Sequence, residues 1–306
     1  LAATEEAPLG KIILLLFVGL FTFGLAPILV RYATDIEPMA LAALRTGFAV
    51  LCLLPFWLPK RESLSTLQSK GINHFLLVFA GISLGLHFSF WIASLHYTSV
   101  ASASVLVTMH PVMLIVAERF IFGKNFKPIV WCGVFLSFTG SLLLGVADDA
   151  SLTEFPDALL GNAFAFTAAV IFVVYFMLGR KIRQYTEWID YVFYVYLYAT
   201  LTCVILTIIW VGGLPYLSGT ALIIGLALAV GPTILGHGSM NYAVKYVSPT
   251  LLSTLVLSEV IFAALLAYLF FNEIPTLFSM GAMVVIMIGV SFTWYRRVKK
   301  PTKPTG

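Results

Sequence analysis

The feature that most constrains this chain is a succession of long apolar runs. Ten of them occur, at about 12–30, 39–58, 75–95, 99–122, 128–146, 159–179, 188–211, 220–242, 248–271 and 277–295. Each is close to the ~20 residues a helix needs to cross a bilayer core. In lipid the backbone must satisfy its own hydrogen bonds, which leaves helices or closed barrels. The runs show no period-2 alternation, so helices are predicted. The segments between them are short, and none holds a soluble domain of useful size. The first run follows Lys11 but exceeds a typical signal-peptide core and has no clear A-x-A site after it, so it reads as the first spanning helix.

Composition excludes other classes. Of 306 residues 60% are apolar and 10% charged, against ~45–50% and ~25% in soluble domains. A soluble enzyme, a disordered chain and a nucleic-acid binder are all disfavoured. Cys52, Cys132 and Cys203 lie in apolar runs without metal spacing and read as small core residues.

The basic residues orient the chain. With the N-terminus inside, the inner segments hold Lys11; Lys60, Arg61 and Lys70; Lys124 and Lys127; Arg180, Lys181 and Arg183; Lys245; and Arg296, Arg297, Lys299, Lys300 and Lys303. The outer segments hold only Arg31 and are rich in acids: Asp35, Glu37, Asp148, Asp149, Glu154 and Asp157. By the positive-inside rule both termini are cytoplasmic, and the net charge of +4 is a topology signal.

Shifted by 149 residues, the chain matches itself without gaps. Phe17 falls on Phe166, Phe23 on Phe172, Leu29 on Leu178 and Arg31 on Arg180. Tyr97 falls on Tyr246, Ser99 on Ser248, Ser104 on Ser253, Phe122 on Phe271 and Gly140 on Gly289. Five is an odd number of helices, so the second copy is expected upside down relative to the first. The predicted fold is all-α and integral to the membrane: ten transmembrane helices as two inverted five-helix repeats, residues 1–150 and 151–306. Inverted repeats of this kind favour alternating access.

Ionisable groups at membrane depth usually face a cavity or a partner. Glu259 lies near the middle of the ninth run, and its counterpart under the shift is His110 in the fourth. Glu259 is a candidate to bind and release a proton, with His110 as partner or relay; the bland alternative is a helix-locking contact. His87 and His237 are near-counterparts, one residue out of register, and Trp91 and Asn241 follow them by four residues on the same helix faces. They read either as cavity lining or as interhelical hydrogen bonding. Arg45 is a candidate anion contact, a partner for Glu259, or a snorkelling side chain. Tyr194 and Tyr198 belong to a tyrosine stripe that is either an interfacial aromatic belt or a stacking surface for a substrate. Glu118 and Arg119 read as interfacial charges, and Gly81 and Gly85 as a close helix contact.

No G-x-x-x-x-G-K-[ST] or H-E-x-x-H occurs, and Gly236-His237-Gly238-Ser239 fails the G-x-S-x-G pattern. Neither a metal site, a cofactor nor an enzymatic activity is indicated.

Several stretches resemble a known family. They are Ala93–Ser102 with His110-Pro111 and Phe122-Gly123, Ser258-Glu259 through Asn272-Glu273, Gly236-His237 through Ala243, and Ala43-Leu44-Arg45. Together they are similar to EamA-type proteins of the drug/metabolite transporter superfamily over roughly residues 12–295. The resemblance implies export or exchange of small metabolites through a central cavity lined by the third, fourth, eighth and ninth helices, with the fifth and tenth peripheral. Three positions depart from the pattern: Glu259-Val260 replaces Glu-Pro, Gly123-Lys124 replaces the Gly-Glu that closes the fourth helix, and Asn272-Glu273 replaces it at the ninth. The expectation is a secondary transporter of a small organic or drug-like solute, an exporter or proton-coupled antiporter in a bacterial inner membrane. Its partners are the bilayer, the solute, protons and, as an option, a second copy. The alternative is a lipid flippase or facilitative channel-like carrier.

Overall fold

The computed structural model describes residues 9–33, 35–61, 74–98, 103, 106–121, 123–148, 156–213, 218–271 and 276–294. Lys70, Ser99, Ser104, Phe122, Asp149, Glu154, Glu273 and the basic tail from Arg296 lie outside the described residues. Among those described, all regular structure is helical. The elements are α1 Leu9–Arg31, α2 Pro38–Trp57, α3 His74–Tyr97, α4 His110–Ile121, α5 Pro128–Asp148, α6 Ala158–Ile182 and α7 Trp188–Val211. They continue as α8 Gly219–Ala243, α9 Pro249–Val256, α10 Glu259–Phe271 and α11 Leu277–Trp294.

Seven helices are long and apolar enough to cross a membrane: α1, α2, α3, α6, α7, α8 and α11. The fourth run appears as the 12 residues of α4, the fifth contains the apolar stretch Pro128–Leu143, and the ninth is divided between α9 and α10. The expectation of ten full-length spans is therefore met in seven among the described residues. The ninth run is interrupted at Leu257 and Ser258, where backbone bonds close three residues apart, Leu257 N to Thr254 O at 3.2 Å and Ser258 N to Leu255 O at 3.0 Å. The tightened turn does not need the missing proline.

Local chemistry sets several ends. Proline opens α2 and α9, where the absent N–H costs no helical bond. Ser218 caps α8 by accepting from Ala221 N at 3.1 Å. Gly212, at φ 76°, closes α7 in the left-handed conformation that favours glycine. Large apolar side chains remain exposed along the helices, Phe120, Leu159 and Leu277 among the most exposed, as expected of surfaces solvated by lipid. Of the three cysteines only Cys203 is buried; Cys52 is half-buried and Cys132 exposed, so the core assignment holds for one of them.

The packing is reciprocal under the 149-residue shift. The helix α5 packs on its own counterpart α11, and α2 packs on its counterpart α7. The contact of α3 with α6 is mirrored by that of α8 with α1. At the α5–α11 crossing Ser137 Oγ donates to Ile286 O at 3.4 Å, and these two residues are 149 apart. A Cβ on Gly133 would sit 2.6 Å from Gly289 O, and one on Gly140 would sit 2.9 Å from Ala282 O, which is the same contact with the copies exchanged. Such mutual contacts characterise a two-fold interface. Gly81 and Gly85 do mediate a close helix contact: a Cβ at either would lie 2.8 Å from a backbone oxygen of α7, Val195 O or Ala199 O.

Candidate functional site

The exchange relation leads to a cavity of about 80 Å³. Its wall includes five pairs of repeat counterparts: Phe23 with Phe172, Phe88 with His237, Trp91 with Met240, Val107 with Val256, and His110 with Glu259. Arg45, His87, Thr108, Ala26 and Pro232 complete it. The wall thus draws on α1, α2 and α6 as well as on the third, fourth, eighth and ninth runs. Among the described residues α5 and α11 do not contribute.

Arg45, His87 and His110 are each held by identifiable hydrogen bonds. Arg45 is 1% exposed. Its Nε donates to Thr233 Oγ1 at 3.0 Å, and its guanidinium carbon lies 3.9 Å from the Phe88 ring centroid and 6.0 Å from that of Trp91. Thr233 can accept because its hydroxyl proton goes to Leu228 O, 2.9 Å away and five residues back. That spacing belongs to a π turn over Ala229–His237, which contains Pro232. Proline lacks an N–H, so the helix widens around it. Tyr196 of α7 donates to Thr233 O at 2.8 Å and ties the widened turn down.

The histidines have assignable tautomers, because a carbonyl only accepts. His87 Nδ1 donates to Ala168 O at 2.9 Å, and His110 Nδ1 donates to Val107 O at 2.7 Å. In the neutral ring each Nε2 is then an acceptor. His110 Nε2 is buried without a hydrogen-bond partner. The His237 ring packs edge-on against Phe23 at 4.9 Å and Phe88 at 4.8 Å, with the His87 ring at 6.3 Å. Glu259, at the first turn of α10, faces the same cavity. Among the described residues no ion pair joins it to Arg45.

The structure thus brings together Glu259, His110, His87, Trp91, His237 and Arg45. It places the other three candidates elsewhere. Asn241 is fully buried behind the wall, where its Oδ1 accepts from Tyr175 at 2.7 Å. Tyr198 Oη meets the His74 ring nitrogen at 2.5 Å, and the Tyr194 ring lies 5.5 Å from His74 and 5.7 Å from Trp57, in an aromatic cluster where α2, α3 and α7 meet.

A family model described as the EamA-like transporter family matches this chain twice, over residues 10–146 and 159–295. The chain belongs to the EamA-like transporter family. The two matches are offset by the same 149 residues as the internal repeat, so the repeat and the family unit are one object. Among curated relatives, an uncharacterized transporter, YdfC of Bacillus subtilis, is 27% identical over 67% of this chain, and the match spans 65% of that relative's length. An uncharacterized transporter of Archaeoglobus fulgidus is 25% identical over 84% of this chain and 87% of the relative. A solved crystal structure superposes with a TM-score of 0.78 at 17% identity, covering 95% of this chain and 99% of that one, and it shows the same fold.

As a member of the EamA-like family the chain is a membrane protein of transporter type, and several residues that form or support the wall are not singled out by the sequence. Phe88 in the wall and Thr233 behind Arg45 carry no isolated signal, and Phe23 and Phe172 stood out only as a repeat match; the proline inside the eighth run was the available hint for the π turn. Glu118 is a case of another kind. Read as an interfacial charge, it is in addition fully buried within the protein. Its Oε2 accepts from Thr250 N at 3.1 Å and from Thr250 Oγ1 at 2.5 Å, and its Oε1 pairs with Lys124 Nζ. It caps the first turn of α9 from the end of α4, joining the two copies.

Proposed function

We propose that this EamA-like chain is a secondary transporter that moves a small organic solute through the cavity by alternating access. The observation that carries the reading is the makeup of the wall, five pairs of positions equivalent in the two copies. A site on an exchange axis can face either side when the copies swap roles, because the two packings have similar energy. The reading includes ten spans, the second copy inverted relative to the first, residues 1–150 and 151–306 as the two units, and both termini on the cytoplasmic side of a bacterial inner membrane. The reciprocal packing and the distribution of basic residues support it.

Proton coupling through Glu259, with His110 as relay, completes the proposal. The two are equivalent positions in opposite copies, and both face the cavity. The reading includes export or exchange driven by the proton gradient, which that placement supports. The test is reconstitution in proteoliposomes with an imposed pH gradient. Wild-type flux should follow the gradient, and Glu259→Gln should carry solute without that dependence. A Glu259→Gln protein whose flux keeps the wild-type pH dependence removes the proton role. A wild-type protein that moves no solute from a metabolite panel under any gradient removes the transport reading.

A further inference from the structure

The chemistry of the cavity wall narrows the solute. The identity of the solute rests on the transport reading of the same cavity; what the cavity can hold is set by its wall. Arg45 brings a full positive charge to a position 1% exposed, and among the described residues no carboxylate pairs with it. One of its five N–H groups is spent on Thr233. The other four have no acceptor among the described residues, and the guanidinium lies against the Phe88 ring. A buried charge is costly without a counter-charge. The free edge of a guanidinium is a planar fork that matches a carboxylate with two parallel bonds.

The rest of the wall asks for the opposite chemistry. His110 Nε2 is a buried acceptor with nothing to accept from, since its Nδ1 proton is held by Val107 O. His87 has its Nδ1 proton on Ala168 O, which leaves an acceptor at Nε2. Glu259 adds carboxyl oxygens. The cavity therefore offers one cationic donor and several acceptors. A ligand that satisfies both carries an anionic group and, near it, a hydrogen-bond donor. Size adds a limit. At about 80 Å³ the space is roughly half that of a cavity known to hold benzene, so the enclosed part of the ligand is smaller than benzene, roughly three or four heavy atoms. Inorganic phosphate fits less well, because Arg45 is the only Lys or Arg in the described wall.

We propose that the solute is a short-chain carboxylate carrying a hydroxyl or ammonium donor a few bonds from its carboxyl group, with the carboxylate on Arg45 and the donor toward His110 and Glu259. Titration calorimetry of the purified full chain in lipid nanodiscs tests it with five probes: L-lactate, L-alanine, propionate, lactamide and inorganic phosphate. Lactate or alanine should bind, and which of them binds tighter tells whether the donor is hydroxyl or ammonium. Propionate, which lacks the donor, and lactamide, which lacks the charge, should each bind at least tenfold more weakly. Arg45→Gln should weaken the preferred acid at least tenfold, with Arg45→Lys between it and wild type. If Arg45→Gln does not fold, the ligand series on the wild-type protein decides alone. The proposal is overturned if propionate, lactamide or phosphate binds as tightly as the better acid, or if neither acid binds. Counterflow of the bound acid in proteoliposomes keeps the two readings apart. An acid that binds but does not move sinks the transport reading and leaves this one standing. Flux of solutes without a carboxylate, with no binding of either acid, does the reverse.

Discussion

Phe88 and His237 occupy the same position in the two copies of the repeat, and their rings meet edge to face with centroids 4.8 Å apart. Equivalent residues touch only near the axis that exchanges the copies. The same exchange relates Ser137 to Ile286, which touch at the α5–α11 crossing. The cavity therefore lies where the two copies are most nearly interchangeable. Its chemistry is nevertheless asymmetric, with His110 in one copy at the position that Glu259 holds in the other, both lining the cavity.

That asymmetry makes Glu259 the group whose replacement should change coupling and spare folding. Glu259→Gln keeps size and hydrogen-bonding capacity while losing the titratable proton. The expected result is a melting temperature close to wild type and solute flux that no longer changes with an imposed pH gradient. His110→Gln should reduce gradient-driven flux and leave counterflow of the same solute within about threefold of wild type. Flux assays at matched protein density measure both.

Thr233 positions Arg45 through a single bond from Nε. Thr233→Val removes the acceptor and leaves a charged donor unpaired, at a cost of about 1–3 kcal/mol. The melting temperature should fall, and Thr233→Ser, which restores the hydroxyl, should recover most of the loss. Equal melting of the valine and serine variants would refute the role.

Glu118 joins the end of α4 to the start of α9 through Thr250. Glu118→Ala should destabilise by about 3 kcal/mol or more, because it leaves a buried backbone N–H, a hydroxyl and the Lys124 charge without their acceptor. Glu118→Gln retains an oxygen for Thr250 and should cost less. Lys124→Ala should cost least, since Lys124 is about a third exposed and solvent screens its charge. Chemical denaturation in detergent should rank the three in that order.

The α5–α11 crossing makes a packing prediction. A Cβ at Gly133 would meet Gly289 O at 2.6 Å and the Thr293 backbone N at 2.8 Å, so Gly133→Ala forces the helices apart. Overpacking of this kind costs about 1–3 kcal/mol. Gly281, also in the α5–α11 layer by sequence, has open space at its Cβ, and Gly281→Ala should leave the melting temperature unchanged or raise it slightly.

Much of this protein was legible in one dimension. The apolar runs determined that it crosses a membrane as helices, because lipid leaves the backbone few other ways to satisfy its bonds. The constant offset of 149 determined the two-copy plan, which the paired family match repeats. Scarcity of charge singled out Glu259, His110 and Arg45, since an ionisable group at depth needs a reason. Tertiary structure alone decided the remainder. Asn241 shares a helix face with His237 by spacing, yet its contact with Tyr175 puts it behind the wall and leaves Met240 at the cavity. Tyr194 and Tyr198 went to a cluster with His74 and Trp57 because α2 and α3 pack against α7 there. Glu118 read simply as an interfacial charge because a sequence does not record which helix end comes to rest against it. Periodicity and composition report what one segment prefers in lipid. Which polar groups face each other depends on how the two copies pack, and that is set by contacts between residues far apart in the chain.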